Sequence, residues 1–254
     1  MTTIDLNADM GESYGIWCLG ADEELMPLVS SASLACGYHA GDPSTIQTSV
    51  RLALRHGVAL GAHPSYPDLQ GFGRRSMRVP PSELQALLVY QVAAVEGIVR
   101  ASGGQLRHVK LHGALYNAAA RDLELAQATV DAIRSLNPEL LLYALAGSEL
   151  ARSGRSAGLG VVEEAFADRR YNADGSLQSR HIEGSLLTDP EAAAAQAVRI
   201  ATTGTVMASD GSELPVRAGT ICIHGDNPSA VRIARAVRQA LAEAGVQVQA
   251  PWQG

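Results

Sequence analysis

Seven short apolar segments recur along the chain, and most of them are followed by a segment with helical periodicity. The apolar segments lie at about residues 4–9, 31–37, 58–62, 108–113, 140–146, 161–168 and 219–224. Strands that alternate with helices in this way pair in parallel, with the helices packed outside the sheet. The sequence therefore predicts an α/β fold, a distorted seven-stranded (β/α) barrel of the TIM type. A doubly wound open sheet is the alternative.

The length and composition suit one barrel domain over residues 1–254. Hydrophobic residues make up 46% of the 254 residues and charged residues 18%, so the chain can bury one large core. Barrels of this size are commonly single domains. No Pro-, Gly- or Ser-rich linker divides the sequence, so we expect a single catalytic domain.

Charge, hydropathy and cysteine content argue against several classes of partner. The formal net charge is −6 and the basic residues form no long cluster, which disfavours nucleic acid and anionic membranes. No apolar run reaches the ~18 residues of a membrane span, and no signal peptide is apparent. The three cysteines, Cys18, Cys36 and Cys222, are widely spaced, as in a reduced protein. We therefore expect a cytoplasmic protein.

Titratable side chains stand at the ends of most of the predicted strands. Parallel barrels have their active sites at the carboxyl ends of the strands, so these side chains should converge at one mouth. The set comprises Asp9, Glu12, His39, His63, Lys110, His112, Glu164, Asp168, His224 and Asp226. A single histidine at a strand end more often has a structural role. The presence of titratable residues at the ends of most strands is what predicts an active site.

One member of this set is the only lysine in a chain whose other basic residues are arginine. The period-two alternation of a strand puts His108, Lys110 and His112 on one face and Val109 and Leu111 on the other. Arginine stays charged, whereas a lysine can lose its proton when it is buried. The segment therefore predicts a functional amine beside two histidines.

Three kinds of chemistry fit these residues. One is hydrolysis assisted by a divalent metal. The candidate metal ligands are Asp9, His39, His63, His112 and His224. The second is metal-free acid–base catalysis, with Lys110 stabilising an oxyanion. The third is anion binding by Arg74 and Arg75 on a glycine-rich loop. The sequence matches none of the zinc-protease, P-loop, dinucleotide or serine-hydrolase motifs, so these three remain open.

Six longer motifs resemble those of the lactam-utilisation (LamB/YcsF) family, which provides the A component of the prokaryotic 5-oxoprolinase. They are DLNADMGE at 5–12, ACGYHAGDP at 35–43, GAHPSYPDLQGFGRR at 61–75, HGALYN at 112–117, EAFADR at 164–169 and IHGDNP at 223–228. The resemblance extends from about residue 3 to residue 245. Leu111 stands where the family usually has proline, but Lys110 and His112 keep their positions.

The resemblance implies a distorted barrel related to the glycoside hydrolase and polysaccharide deacetylase superfamily. It also implies opening of the lactam of 5-oxo-L-proline to L-glutamate, with ATP converted to ADP and phosphate. The implied partners are the 5-oxoprolinase subunits B and C. ATP is the implied cofactor, and a divalent metal is a further candidate.

The titratable residues at the strand ends and the family resemblance together suggest roles for the site residues. The expected catalytic residues are Asp9, Glu12, His39, His63, Lys110, His112 and Glu164. The expected substrate- or phosphate-binding residues are Arg74, Arg75, Asp168, Arg169, His224 and Asp226. Two alternatives are a metal-dependent carbohydrate deacetylase on the same fold and a non-catalytic subunit that delivers a small acid to a partner.

Overall fold

A closed barrel of parallel strands forms the centre of the computed structural model, which describes residues 2–180 and 182–251. The strands are β1 (Thr2–Met10), β2 (Ser31–Ala35), β3 (Ala59–His63), β4 (Leu106–Lys110), β5 (Leu141–Leu145), β6 (Val161–Phe166), β7 (Thr205–Met207), β8 (Glu213–Pro215), β9 (Thr220–Ile223) and β10 (Val246–Val248). Strands β1 to β6 pair in sequence, and β9 closes the barrel by pairing with both β6 and β1. This closure confirms the predicted seven-stranded barrel over the open sheet.

Helices surround the barrel and connect its strands. They are α1 (Asp22–Leu25), α2 (Pro43–His56), α3 (Pro81–Ala101), α4 (Gly113–Ala119), α5 (Leu123–Leu136), α6 (Glu149–Ser156), α7 (Pro190–Thr203) and α8 (Ala230–Glu243). The ends of α2 show how local sequence sets these bounds. The carboxylate of Asp42 accepts hydrogen bonds from the backbone of Ser44 and Thr45, and Gly57 ends the helix with a φ of 66°.

Two elements lie outside the sequence prediction. Strand β4 ends at Lys110, and Gly113, with a φ of 58°, begins the short helix α4 where the sequence had predicted continuing strand. Strand β10 adds to the outside of the barrel by pairing in parallel with the first residues of β1. Strands β7 and β8 form a separate antiparallel pair on either side of Asp210 and Gly211.

Helix α3 is long and apolar enough to span a membrane by length and composition alone. In the structure it packs against α5, α2 and the barrel strands β3 and β4. Its buried side chains include Leu84, Leu88, Val92, Val95 and Val99, which lie three or four positions apart. This spacing is that of an amphipathic helix with one face on a protein core.

The interior of the barrel is polar, and strand β1 shows why. Ile4, Leu6 and Ala8 belong to the hydrophobic core around the barrel, while Asp5 and Asn7 make side-chain hydrogen bonds to residues of other strands. The carboxylate of Asp5 accepts hydrogen bonds from Tyr143 at 2.8 Å and from Thr220 at 2.6 Å. These bonds satisfy the buried carboxylate and link β1 to β5 and β9 inside the barrel.

Candidate active site

A cavity of about 720 Å³ opens at the carboxyl ends of the barrel strands. Its lining combines residues at or just beyond the strand ends with residues of the loops. The strand-end group is Asp9, His63, Lys110, His112, Glu164 and His224, and the loop group includes Arg74, Arg169 and Arg180. The structure thus brings together residues that are more than 200 positions apart in the sequence.

Lys110 lies at the floor of this cavity with its ammonium group surrounded by acceptors. Its Nζ atom lies 2.8 Å from Oδ1 of Asn7, 2.6 Å from Oδ1 of Asp9 and 3.1 Å from Oε1 of Glu164. Burial alone would lower the pKa of Lys110, but the nearby Asp9, Cys222 and Glu164 raise that pKa well above its usual range. Lys110 is therefore a fixed positive charge, in contrast to the readily deprotonated amine that burial alone would favour.

Asp9 and Glu12 are buried carboxylates whose pKa values are shifted in opposite directions. Burial would raise the pKa of Asp9, but His63 and Lys110 hold it well below its usual range. Burial, reinforced by the charge of Asp9, raises the pKa of Glu12 well above its usual range. Asp9 therefore stays ionised over the working pH range, whereas Glu12 favours its protonated form.

Three histidines pack against Glu12 on one side of the mouth. The rings of His39 and His112 stack with centroids 3.8 Å apart. Nε2 of His39 lies 3.3 Å, and Nδ1 of His112 3.6 Å, from Oε1 of Glu12. Burial lowers the pKa of both histidines well below the usual range, so both rings are neutral near pH 7. Together with His63, these side chains bring donor atoms within 4.8 Å of one another, which makes them the candidate cluster for a divalent metal.

Asp168 and His224 form a second buried group, just beyond the ends of β6 and β9. Oδ1 of Asp168 accepts a hydrogen bond from Nδ1 of His224 at 2.8 Å, and the His224 ring stacks on Phe166 with centroids 5.3 Å apart. Burial lowers the pKa of His224, although Asp168 opposes this shift. The neutral ring therefore carries its proton on Nδ1, which leaves the lone pair of Nε2 free to accept a proton.

Arginines supply positive charge at the cavity rim. Arg74 lies 2.5 Å, and Arg180 3.3 Å, from Oδ2 of Asp226. Arg169 is nearly buried and donates to the backbone oxygen of Gln178, while its Nε atom has no hydrogen-bond partner among the described residues. Burial, followed by the charge of Arg180, lowers the pKa of Arg169 to about 10, so the guanidinium remains charged at neutral pH. A buried cation with an unused donor is suited to hold an anion.

The structure does not bring every predicted residue to the cavity. Arg75 lies on the predicted loop, but its side chain is 61% exposed and forms an ion pair with Asp68. Asp68 is buried and accepts from the backbone of Gly71, so it holds the Arg75 side chain at the outside of the loop. Four more predicted residues do not line the cavity but contact residues that do, namely Glu12, His39, Asp168 and Asp226.

Some site residues lie outside the sequence prediction. Tyr116 donates a hydrogen bond to Oε2 of Glu164 at 2.7 Å, and its place in the HGALYN motif is the signal that could have identified it. Arg180 lies in a segment without regular structure or motif, so nothing in the sequence indicated that it faces Asp226. Asn7 lies two positions before Asp9 in β1 and so on the same face of the strand, and its side-chain oxygen accepts a hydrogen bond from Lys110.

Comparisons with known proteins identify the family to which the chain belongs. A family model described as the LamB/YcsF family matches residues 4–253. The A component of 5-oxoprolinase from Heliobacterium modesticaldum is 50% identical over 97% of both chains. The protein of the same name from Thermus thermophilus is 53% identical over 97% of this chain and 99% of its own. The crystal structure of a lactam utilization protein from Thermus thermophilus is 52% identical, covers 98% of this chain and 99% of its own, and superposes with a TM-score of 0.92. The chain therefore belongs to the LamB/YcsF family.

Proposed function

We propose that this chain is the A component of an ATP-dependent 5-oxoprolinase and that its barrel is the hydrolytic domain. The enzyme opens the lactam of 5-oxo-L-proline to L-glutamate while ATP is converted to ADP and phosphate. Relatives with this name are about half identical to the chain over nearly its whole length. We further propose that the chain works in the cytoplasm with subunits B and C, which is consistent with its three free cysteines.

The chemistry requires activation, because a five-membered lactam is an unstrained, resonance-stabilised amide. Transfer of the terminal phosphoryl group of ATP to the amide oxygen makes the ring carbon electrophilic and releases ADP. Water then adds to this carbon, the ring carbon–nitrogen bond breaks, and the nitrogen takes up a proton to become the amino group of glutamate. A second water releases the phosphate. We assign the ATP requirement to the assembled complex.

The Asp168–His224 pair is the best candidate for proton transfer. A neutral imidazole with a free Nε2 can take a proton from the attacking water and return it to the leaving nitrogen. Asp168 holds the ring in this tautomer and stabilises the protonated form. This role extends beyond substrate binding, to which the sequence had assigned both residues. The pKa of Asp9 is too low for its carboxylate to be an efficient base, and we assign it the role of orienting Lys110 instead.

Two cations have separate tasks in this proposal. Lys110 is a fixed charge at the cavity floor and stabilises the negative charge that develops on oxygen as water adds. Arg169 provides the anchor for an anionic group, either the carboxylate of the substrate or the transferred phosphate. One observation carries the proposal, namely that three groups lie together at one cavity. They are the neutral imidazole of His224, oriented by Asp168, the ammonium of Lys110, and the buried guanidinium of Arg169 with an unused donor.

The test is glutamate release from 5-oxoproline, with and without ATP, by the chain alone and in mixtures with subunits B and C. We expect release only with ATP and all three subunits, and its loss when this chain carries His224→Gln. His56→Gln is the matched control, because His56 is exposed at the end of α2. No release in any mixture would contradict the proposal. Deacetylation of an acetylated sugar would instead support the deacetylase alternative, and 5-oxoproline that binds to the isolated chain without being changed would support a non-catalytic, ligand-delivering role. Full activity of the His224→Gln complex would exclude His224 as the proton-transfer group.

A further inference from the structure

Asn7 connects the ammonium of Lys110 to the polar interior of the barrel, and its side chain is completely buried. Its Oδ1 atom accepts a hydrogen bond from Nζ of Lys110 at 2.8 Å. Its Nδ2 atom donates to Oε1 of Glu164 at 2.9 Å and to Oγ1 of Thr220 at 2.8 Å. One amide thus joins β1 to β4, β6 and β9. Both N–H groups and the oxygen of this amide therefore have partners.

The partners of Asn7 leave its amide only one orientation. An ammonium can only donate, so the oxygen of Asn7 has to face Lys110 and the NH₂ group has to face away from it. Thr220 accepts from this NH₂ group and directs its own hydroxyl hydrogen to Oδ2 of Asp5 at 2.6 Å. The hydrogen bonds therefore run in one direction, from the ammonium through the amide and the hydroxyl to the carboxylate of Asp5. Bonds aligned in this way in a medium of low polarity strengthen one another.

The ammonium of Lys110 has three hydrogens but four neighbouring acceptors. Asn7 and Cys222, the second at 3.2 Å, each accept a hydrogen bond from it and are not among the residues that line the cavity. Glu164 and Asp9 lie at 3.1 and 2.6 Å, and both line the cavity. Two hydrogens are thus bound to groups outside the cavity lining, and the third is left on the cavity side. An oxygen that gains negative charge in the cavity can attract this hydrogen.

We propose that Asn7 is a positioning residue for catalysis, because it holds the ammonium of Lys110 so that one N–H remains available to the substrate oxygen. This inference rests on the proposed function, in which Lys110 stabilises the developing oxyanion. Oδ1 of Asp9 lies 2.6 Å from Nζ of Lys110 but makes no hydrogen bond among the described residues. Without the amide oxygen, the hydrogen now bound to Asn7 would turn to Asp9. The substrate oxygen would then compete with two fully engaged carboxylates.

A purely structural role for Asn7 is the alternative, since its amide also joins four strands. Tyr143 provides the comparison, because its hydroxyl donates to Oδ2 of Asp5 at 2.8 Å in the same network. Tyr143→Phe removes this buried hydrogen bond but leaves those from Lys110 to Asn7 and from Asn7 to Thr220 in place. It should therefore lower the melting temperature, as changes at Asn7 do, without moving the ammonium.

Lys110 is the only lysine of the chain, so its ammonium can be observed by itself. The full chain is prepared with ¹⁵N-labelled lysine, and NMR records the side-chain signal and its hydrogen exchange with water. We expect slow exchange in the wild type, because the buried hydrogen bonds protect the ammonium. Asn7→Leu should shift the signal and make exchange faster, and Tyr143→Phe should leave both as in the wild type. If Asn7→Leu does not fold, Asn7→Ala removes the same amide without adding apolar bulk.

Steady-state kinetics of the assembled complex test the catalytic part of the inference. Asn7→Leu should lower kcat by at least about 10²-fold, the usual cost of losing one oriented oxyanion donor. KM should change by less than about twofold, because the interaction is made in the transition state. Tyr143→Phe should keep the kcat of the wild type.

Three results would overturn the inference. The first is a wild-type ammonium that exchanges as rapidly as that of free lysine. The second is an unchanged signal in a folded Asn7 variant. The third is an equal loss of kcat in Asn7→Leu and Tyr143→Phe, which would assign a purely structural role to Asn7. If no mixture releases glutamate, the proposed function fails, whereas the NMR comparison still decides whether Asn7 holds Lys110.

Discussion

Oδ1 of Asp9 lies 2.6 Å from Nζ of Lys110, and both side chains are almost completely buried. Removing one member of a buried ion pair leaves an uncompensated charge in a medium of low polarity. Lys110→Met should therefore destabilise the protein by about 3–5 kcal/mol, as measured by urea unfolding, and should abolish glutamate release.

The matched control for this change is the double variant Lys110→Met with Asp9→Asn. It should recover part of the lost stability, because the buried Asp9 charge is also removed, while activity stays absent. If the double variant lost the sum of the two single losses, the pair would not be coupled as the distance indicates.

Asp168→Asn should lower kcat by about 10²- to 10⁴-fold, which is the usual contribution of general acid–base catalysis. The amide can donate to Nδ1 of His224 and so favours the wrong tautomer of the ring. KM should change much less, because the cations at the rim are untouched. Steady-state kinetics of the full complex measure both constants, and a raised KM with an unchanged kcat would assign Asp168 to substrate binding instead.

Arg169→Met should raise KM for the anionic substrate by at least about tenfold, which corresponds to the loss of one charge-assisted hydrogen bond. Arg75→Met is the matched control, because Arg75 lies on a loop near the mouth but forms its ion pair with Asp68 outside the cavity. Kinetics of the two variants in the same complex provide the comparison. Equal effects would show that charge near the mouth matters more than the buried position of Arg169.

The buried His108 should make stability depend on pH in a specific window. Burial, followed by the charge of Lys110, lowers its pKa to about 3, whereas in the unfolded chain it titrates near 6.5. Below pH 6.5 the unfolded chain takes up a proton that the folded chain does not. The contribution of His108 to the free energy of unfolding is therefore complete above pH 6.5. It falls by about 1.4 kcal/mol per pH unit as the pH falls toward 3.

Urea unfolding of the wild type and of His108→Gln at pH 7.5, 6.0 and 5.0 checks this prediction. The difference in unfolding free energy between them should shrink as the pH falls. Taking this difference cancels other groups, such as Glu12, whose raised pKa acts in the opposite direction. A difference that stays constant across the three pH values would mean that His108 does not remain neutral in the folded state.

The sequence predicted the barrel well, because alternation and helix caps are local signals. The seven strand segments and the helical periodicity between them are examples, because both follow from neighbouring residues alone. The charge state of Lys110 could not be predicted in the same way. Burial and ion pairing shift its pKa in opposite directions, and only the distances to Asp9 and Glu164 decide which effect is larger.

The directions of the loop side chains of Arg75 and Arg180 could not be predicted from the sequence either. Both arginines lie in irregular segments, where direction depends on tertiary partners rather than on periodicity. Asp68 holds the side chain of Arg75 outside the cavity, while Asp226, 46 positions further along the chain, attracts that of Arg180. Sequence alone gave equal weight to Arg74 and Arg75 and none to Arg180.

The pairing of β1 has a consequence for how the chain is made. Residues Thr2–Ile4 pair with Val246–Val248, and Asp5–Ala8 pair with Thr220–Ile223. At a synthesis rate of 5–20 residues per second, β1 waits roughly 10–50 s for these partners to leave the ribosome. During this interval the growing sheet has an open edge at β1, a surface prone to wrong pairing. Barrel closure is therefore among the last events of biosynthesis, and nascent chains that stop before residue 220 keep two unpaired edges, at β1 and β6.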